Sequence, residues 1–420
     1  MSKISTTIYF VIPVLDEDAY IGRTLDSIRN QSFEGDIHVY ICVNQPDSWW
    51  YREDKRGICE RNRDLMDALR HMYQQDASIK IIDRSSPGLG WTSKKGGVGM
   101  ARKVLMDSVL AHASDEDILI SMDADTVFEK EWVSSLWNTF QVNPPIAAIN
   151  SPYYHTLSGN ENQDKAILHY ELYLRTYMLN LLRIGSPYAF TALGSAIAVR
   201  AKACRAVGGF DQQRAGEDFY FLQKLVKYGC LALYNPCKVY PSSRVSDRVP
   251  FGTGPAVAAF MTEERNSYPI FHHSAFEAIE YTYRQIDALF EQDISTSFLD
   301  FIDLQFPKKD RWAKLRSNYN TLPMFRKAFH HHMDGLRLFQ YIRNAQQAVH
   351  RSDEQCLADF IHCYYPNRSD LIDSMSLINI QEMPVDSLDA LRNFLCQEED
   401  EMRKQRDLLH ALKKKSNFAR

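Results

Sequence analysis

The 420-residue sequence predicts an α/β protein with a mostly parallel sheet flanked by helices, followed by a mainly α-helical C-terminal region. Short apolar, β-branched runs alternate with segments of helical periodicity in the first half of the chain. Polar residues follow these runs at the points where strands would end. From about residue 260, apolar residues recur only at helical spacing. We therefore divide the chain into domains at residues 1–260 and 261–420.

The composition excludes several classes of protein. The chain is 45% hydrophobic and 24% charged, as soluble globular domains usually are. A formal net charge of −4, with acidic and basic residues interleaved, argues against a nucleic-acid-binding protein. The eight cysteines are scattered singly, as expected for reduced thiols in a cytoplasm. Because no signal-peptide pattern or run of about 20 apolar residues is present, we expect a soluble protein.

The strand–loop–helix unit repeats along the first half of the chain. The apolar run at 8–14 ends in an acidic loop, and Ile21, Leu25 and Ile28 then recur at helical spacing. Residues 47–60 are polar and predict a loop or insertion. The other elements predicted in this half are strands at 37–43, 79–83, 118–120 and 196–199, and helices at 61–75, 100–110 and 129–140.

Two aspartates follow the apolar run at 118–120, in the sequence Asp123-Ala124-Asp125. At a strand-to-loop turn, Asp125 can reach a hard divalent ion, while Asp123 turns toward a sugar hydroxyl or water or serves as a second ligand. Carboxylates of this kind favour Mg²⁺ or Mn²⁺ bound together with substrate phosphates. A polar strand end that caps the next helix is the alternative.

The glycine-rich sequence KKGGVGMAR lies just before a predicted helix. It does not match the dinucleotide-binding pattern G-x-G-x-x-G, because Arg102 occupies the last glycine position and the first strand does not precede it. A dehydrogenase is therefore not expected. Lys94, Lys95 and Arg102 could bind an anion at the helix N-terminus, and a solvated surface loop is an equal alternative.

A second acidic pair, Glu217-Asp218, opens a predicted helix after Gly216. Acidic residues at a helix start complement the helix dipole, which is a sufficient explanation for this pair alone. The pair gains a functional interpretation only in combination with the other motifs.

Four motifs together resemble glycosyltransferase family 2, whose members have the GT-A fold. They are VIPVLDEDAYIGRTLDSIRNQ at 11–31, D-x-D at 123–125, LGSAIAVR at 193–200 and GGFDQQRAGED at 208–218. The resemblance implies a nucleotide-diphosphate sugar as donor, a divalent cation at the second aspartate of D-x-D, and a catalytic base at the Glu-Asp motif. It covers about 210 residues and does not extend into the helical C-terminal region.

The resemblance also implies site residues. Asp218 would be the base, with Glu217 beside it, and Asp125 would bind the metal. Donor contacts would come from Pro13, Val14, Glu17 and Asp123, and acceptor contacts from Gly194 and Ser195. Asn44 is the candidate on the second strand, and Arg102 is a donor candidate from its place at the helix N-terminus. Asn44 stands where many members carry a paired-aspartate segment, which leaves the nucleotide base undefined.

The loop at 240–254 carries Arg244 and Arg248 among serines and glycines. Such a loop could close over the donor diphosphate, and a basic surface loop before a domain boundary is the alternative.

The sequence thus predicts an inverting, metal-dependent glycosyltransferase that acts on a hydroxyl acceptor. A retaining transferase and an inactive module with a binding role remain alternatives. The basic C-terminal sequence KKKSNFAR is best explained as a solvated tail, with peripheral contact to anionic lipid at the inner membrane face left open. The helical region could cap the acceptor site, form a homo-oligomer interface or bind a partner.

Overall fold

The computed structural model describes residues 6–92, 96–142, 146–212, 216–245, 252–261, 268–371 and 382–418. The chain forms two compact units. The first comprises Met1–Ile167, Phe190–Thr262 and Arg403–Arg420, and the second Leu168–Ala189 and Glu263–Met402. Lys94, Lys95 and Arg248, which the sequence singled out, lie outside the described residues.

The first unit is built on a seven-stranded sheet in the order β3-β2-β1-β4-β7-β6-β8, with a separate β5-β9 pair. The strands are β1 (Ile8–Val14), β2 (Ile37–Asn44), β3 (Ile79–Arg84), β4 (Ile118–Ser121), β5 (Val127–Phe128), β6 (Ile146–Asn150), β7 (Ile197–Arg200), β8 (Cys230–Ala232) and β9 (Val239–Tyr240). Within the large sheet only β7 runs antiparallel to its neighbours. The predicted mostly parallel sheet is confirmed.

The register of the central strands places their carboxyl ends together. Val14 at the end of β1 pairs with Val43 of β2. On the other side, Val11 pairs with Ser121 at the end of β4. All seven residues of β1 are buried, as expected for a strand covered on both faces. Loops that follow β1, β2 and β4 therefore meet at one edge of the sheet.

Helices cover the sheet, and apolar residues at helical spacing explain their packing. In α1, Ile21, Leu25 and Ile28 are buried. The helices of the first unit are α1 (Ile21–Arg29), α2 (Glu53–Met72), α3 (Val98–Leu110), α4 (Trp132–Val142), α6 (Ala201–Val207), α7 (Glu217–Tyr228) and α8 (Thr253–Met261). Short 3₁₀ helices span Asp47–Tyr51 and Gly194–Ala196.

The predicted loop at 47–60 is wrong over its second half, because α2 already begins at Glu53. Glu53 and Asp54 in the first turn complement the helix dipole. Few apolar residues occur in that turn, so the apolar periodicity used for the prediction starts too late to detect it.

The second unit is helical, as predicted for the C-terminal region. α5 (Glu161–Arg183) and α16 (Val385–Phe418) each contribute part of their length to it. The remaining helices are α9 (His273–Arg284), α10 (Ile286–Glu291), α11 (Ser297–Gln305), α12 (Arg311–Asn318), α13 (Leu322–His332), α14 (Gly335–Gln346) and α15 (Asp353–Tyr364). Its core joins Leu168, Leu172 and Leu179 of α5 to apolar residues of α15 and α16.

The units do not follow the single division predicted at residue 260. Residues 168–189 belong to the helical unit, and 403–420 belong to the sheet unit. Arg403 donates to the carbonyls of Asn150 and Leu233, both at 3.0 Å. Asp407 accepts the backbone N–H groups of Leu233 and Tyr234, both at 2.8 Å. These bonds attach the end of α16 to the sheet, and linear periodicity cannot reveal them.

All eight cysteines lie in the described part of the chain and carry free thiols. Over the same residues, none of the helices is both long enough and apolar enough to cross a bilayer.

Candidate active site

The turn after β4 sends its two aspartates to different partners. Ala124 between them is buried, and its carbonyl accepts a hydrogen bond from the Thr24 hydroxyl at 2.8 Å. This bond fixes the turn against α1. Asp123 then binds an arginine from α3, and Asp125 binds an arginine that follows β9.

Arg102 of α3 forms the inner cluster. Its Nη2 lies 2.5 Å from Asp123 Oδ1, and its Nε lies 3.1 Å from Glu217 Oε1. Its Nη1 donates to the Gly194 carbonyl at 3.0 Å and to the Ser121 hydroxyl. The Arg102 side chain is 3% exposed. Asp123 and Glu217, which are 94 residues apart in sequence, therefore share one cation.

Arg244 forms the outer cluster. Its Nε donates to Asp125 Oδ2 at 2.9 Å, and its Nη2 binds the Glu17 carboxylate. The guanidinium also lies over the Tyr20 ring, 4.3 Å from the centroid. Glu17, Asp125 and Arg244, which were each selected from a different motif, are thus brought together in one cluster.

The Glu217-Asp218 pair occupies the first two positions of α7. Gly216 before it has φ 73°, a left-handed conformation that favours glycine. Glu217 is buried and faces Arg102, whereas Asp218 is half-buried and accepts the Phe219 N–H at 2.7 Å. The two carboxylates therefore have different surroundings, as expected for adjacent residues at a helix start.

The pKa of the Asp218 carboxyl group is shifted toward neutral pH. Burial, followed by the neighbouring Glu217 carboxylate, raises the pKa of Asp218 to about 7, while the Arg102 guanidinium opposes this rise. A carboxyl group that titrates near neutral pH is suited to accept a proton from a hydroxyl group.

Asn44 makes structural hydrogen bonds. Its amide nitrogen donates to the Val14 carbonyl at 2.8 Å, and its oxygen accepts from the Trp91 indole at 2.9 Å. Trp91 is further joined to Gln45 by a backbone hydrogen bond of 2.8 Å. Asn44 thus fastens the end of β1 to the loop after β3. The sequence analysis did not identify Trp91, because no spacing pattern connects it to β2.

The remaining predicted residues are mostly enclosed. Pro13 and Val14 are buried in β1, and Gly194 and Ser195 are buried in their 3₁₀ helix. Tyr20 and Ser121 were not predicted, and the structure adds them through Arg244 and Arg102. Nothing in the sequence indicates either contact, since both depend on how distant loops meet.

The two carboxylates of D-x-D suit a hard divalent cation through their oxygen donors. The Asp123 side chain is 37% exposed, and Asp125 already lies beside a positive group. Among the described residues, no third acidic, histidine or cysteine side chain joins them within ligand distance. A cation here would therefore take its other ligands from water and from a bound phosphate.

Comparison with known proteins places this site in a family context. A family model described as "Glycosyltransferase like family 2" matches residues 6–263. No curated protein matches the sequence. Solved structures with partial similarity include two of S. aureus TarS and one mannosyltransferase from Pyrobaculum calidifontis.

The TarS 1-349 structure is 13% identical, with 95% of this chain and 91% of that chain covered and a TM-score of 0.39. TarS 1-349 in complex with UDP-GlcNAc is 14% identical, with 85% and 91% covered and a TM-score of 0.40. The mannosyltransferase PcManGT in complex with GDP-Man and Mn²⁺ is 12% identical, with 93% and 88% covered and a TM-score of 0.36. At these values the family assignment rests on the match over residues 6–263.

Proposed function

The chain belongs to glycosyltransferase-like family 2 and is a glycosyltransferase, and we propose that it is an inverting, metal-dependent enzyme that moves a sugar from a nucleotide-diphosphate donor to a hydroxyl acceptor. The observation that carries this proposal is the meeting of two acidic motifs at one edge of the sheet. Asp123 and Glu217 bind the same arginine, so a metal-binding turn and a candidate base helix face one site.

The donor half is proposed around Asp123 and Asp125, which would hold Mg²⁺ or Mn²⁺. When bound, the cation neutralises the charge that develops on the leaving diphosphate. Pro13 and Val14 at the end of β1, and Glu17 in the loop after it, would line the nucleotide pocket beside this turn. Asn44 would shape the same pocket through its bonds to Val14 and Trp91.

The acceptor half is proposed around Asp218. In an inverting transfer, the acceptor oxygen bonds to the anomeric carbon as the bond from that carbon to the diphosphate oxygen breaks. The diphosphate leaves with the bonding electron pair, and the acceptor proton passes to a carboxylate oxygen of Asp218. Acceptor contacts from Gly194 and Ser195 remain predictions.

Arg244 is proposed as a second cation for the donor diphosphate. Its two carboxylate partners are also the proposed metal and nucleotide residues, so the guanidinium already lies at the donor side of the site. Arginine binds phosphate oxygens with paired N–H donors. The companion prediction for Arg248 lies outside the described residues.

The first experiment is a thermal-shift screen of nucleotide diphosphates with and without Mn²⁺. A bound ligand raises apparent stability by mass action, so the matching nucleotide should raise the Tm more in the presence of Mn²⁺. Transfer assays with the identified sugar nucleotide then test turnover, and NMR of the product anomer separates inversion from retention. A protein that binds no nucleotide and hydrolyses no donor with Mn²⁺ would refute the proposal.

Peripheral contact with anionic lipid also remains a proposal. Leu408, Leu409 and Leu412 on the last turns of α16 are 57%, 55% and 62% exposed. Three lysines, 413–415, follow them in sequence. Exposed apolar residues beside basic ones are typical of helices that bind a membrane surface. Co-sedimentation with phosphatidylserine vesicles, but not with phosphatidylcholine vesicles, is the expected result.

A homo-oligomer through the helical region stays a prediction.

A further inference from the structure

Arg102 is a charged residue on the buried face of a helix. Leu105, Met106 and Val109 share that face of α3. An arginine with 3% exposure is stable only if its N–H groups are paired, because an unpaired buried charge is costly. All of the partners named above come from outside α3.

Those partners belong to four separate segments of the first unit. They are the end of β4, the D-x-D turn, the 3₁₀ helix at Gly194 and the start of α7. The guanidinium also lies 5.6 Å from the centroid of the Phe210 ring, which precedes α7. Four of its five N–H directions are thereby used within the protein.

We infer that Arg102 is a positioning residue, which holds the metal-binding turn and the base helix in register, and that it is not a donor ligand. This inference rests on the proposed function. In physical terms, Asp123 and Glu217 would repel each other without the shared cation, and the two halves of the site would separate or reorient.

Gly194 supplies independent support, because it makes the room that Arg102 needs. A Cβ atom at Gly194 would lie 2.0 Å from Arg102 Nη2 and 2.6 Å from Cζ, which is far inside van der Waals contact. Gly194 is absent from the residues with positive φ, so its requirement is space and not an unusual backbone conformation. The glycine of the LGSAIAVR motif thus leaves the space that the Arg102 guanidinium occupies.

The same contact affects the candidate base. Burial and the Glu217 carboxylate raise the pKa of Asp218 most, Arg102 and the Phe219 N–H lower it, and the Asp123 carboxylate adds a smaller rise. A displaced guanidinium would leave more of Asp218 protonated at neutral pH. If Arg102 is a positioning residue, its displacement should change the turnover number and the pH dependence of turnover. Donor affinity should change little.

The test uses Gly194→Ala, which displaces the Arg102 side chain without removing its charge. Gly22→Ala is the matched control, since a Cβ at Gly22 in α1 meets nothing within 4 Å. Misplacement of catalytic groups by about 1 Å can cost on the order of 10²-fold in rate, so we expect a kcat loss of that order in Gly194→Ala. The Kd for nucleotide diphosphate with Mn²⁺ should stay within about twofold of wild type, because its ligands are kept.

Arg102→Lys and Arg102→Met extend the test. Lysine keeps the charge but not the forked geometry, so Arg102→Lys should recover part of the turnover that Arg102→Met loses, at similar donor Kd. A loss of donor affinity with unchanged kcat would instead identify Arg102 as a donor ligand and overturn the inference. Loss of thermal stability with unchanged kcat in the folded fraction would overturn it as well.

A readout without turnover separates this inference from the proposed function. The carboxyl ¹³C titration of Asp218 should shift to higher pH in Gly194→Ala and remain as in wild type in Gly22→Ala. An unchanged titration in Gly194→Ala would refute the role of Arg102, whatever reaction the protein catalyses. Absence of transfer by the wild-type protein would refute only the proposed function.

Discussion

The two arginines that bind the D-x-D turn differ in what holds them. Arg102 projects from a helix inside the core and bonds to two carboxylates, a hydroxyl and a carbonyl. Arg244 follows a two-residue strand, is 15% exposed and bonds to two carboxylates over a tyrosine ring. We therefore expect donor phosphates to compete for Arg244 only, while Arg102 keeps its place throughout the reaction.

The two carboxylates of one short motif therefore belong to different ion-pair clusters. Asp123 is linked through Arg102 to Glu217 of α7, and Asp125 is linked through Arg244 to Glu17 in the loop after β1. In the proposed reaction, the first link would join the donor side of the site to the acceptor side. The second would stay on the donor side.

The largest expected effect lies at the inner cluster. Asp218→Asn keeps the side-chain shape and removes its basicity, so transfer should fall by about 10² to 10⁴ while nucleotide binding persists. Glu217→Gln, at the neighbouring position, is the matched control. It should reduce transfer less, because the glutamine side-chain oxygen can still accept a hydrogen bond from Arg102. Steady-state kinetics and nucleotide Kd measure both. A near-wild-type kcat in Asp218→Asn would show that Asp218 is not the base. Inactivity of Glu217→Gln alone, with donor binding intact, would show the same.

The next largest expected difference is in the free energy of unfolding after each arginine is replaced. Arg102→Met leaves the buried Glu217 carboxylate without its cation and should cost about 3 to 5 kcal/mol in the free energy of unfolding. Arg244→Met should cost less, about 1 to 3 kcal/mol, because the Arg244 side chain is 15% exposed, against 3% for Arg102. Denaturant unfolding of both variants measures the difference. Equal losses would mean that the outer cluster is as much a part of the core as the inner one.

Metal binding should depend on the outer aspartate. Asp125→Asn removes a carboxylate ligand, so nucleotide affinity in the presence of Mn²⁺ should fall by at least about 10- to 100-fold, the range for loss of even an outer-shell partner. Affinity without Mn²⁺ should change little. Calorimetric titration with and without the metal tests this, and an unchanged Mn²⁺ effect would exclude Asp125 as the ligand.

A further predicted effect is on the pH dependence of stability. The pKa of Asp218 is about 7 in the folded protein and about 3.9 in an unfolded chain. Folding therefore favours the protonated carboxyl: its stabilising contribution is complete below pH 4 and lost as pH rises toward 7. Asp218→Asn should thus raise the Tm relative to wild type more at pH 8 than at pH 4.

Activity should follow the opposite direction, because the base must be deprotonated. The kcat/KM of the wild type should rise about tenfold per pH unit below pH 7 and then level off. A flat profile between pH 5 and 8 would contradict the assignment of Asp218 as base.

Much of the fold was accessible from sequence because its signals are local. The apolar runs of β1, β2 and β4 and the helical spacing in α1 depend only on neighbouring residues, and the structure confirms them. The start of α2 and the attachment of α16 to the sheet unit were missed. In the first case polar residues open the helix, and in the second the bonds of Arg403 and Asp407 are made to distant backbone.

By itself, the sequence determined the α/β class, the helical C-terminal region and the family, since the acidic motifs and strand ends are short and contiguous. Only the tertiary structure decided which carboxylate meets which cation. Arg102 lies 115 residues from Glu217, and Arg244 lies 227 residues from Glu17. Their pairing depends on parallel strands that bring distant loops to one edge of the sheet, and on a glycine at 194 that leaves space for a guanidinium.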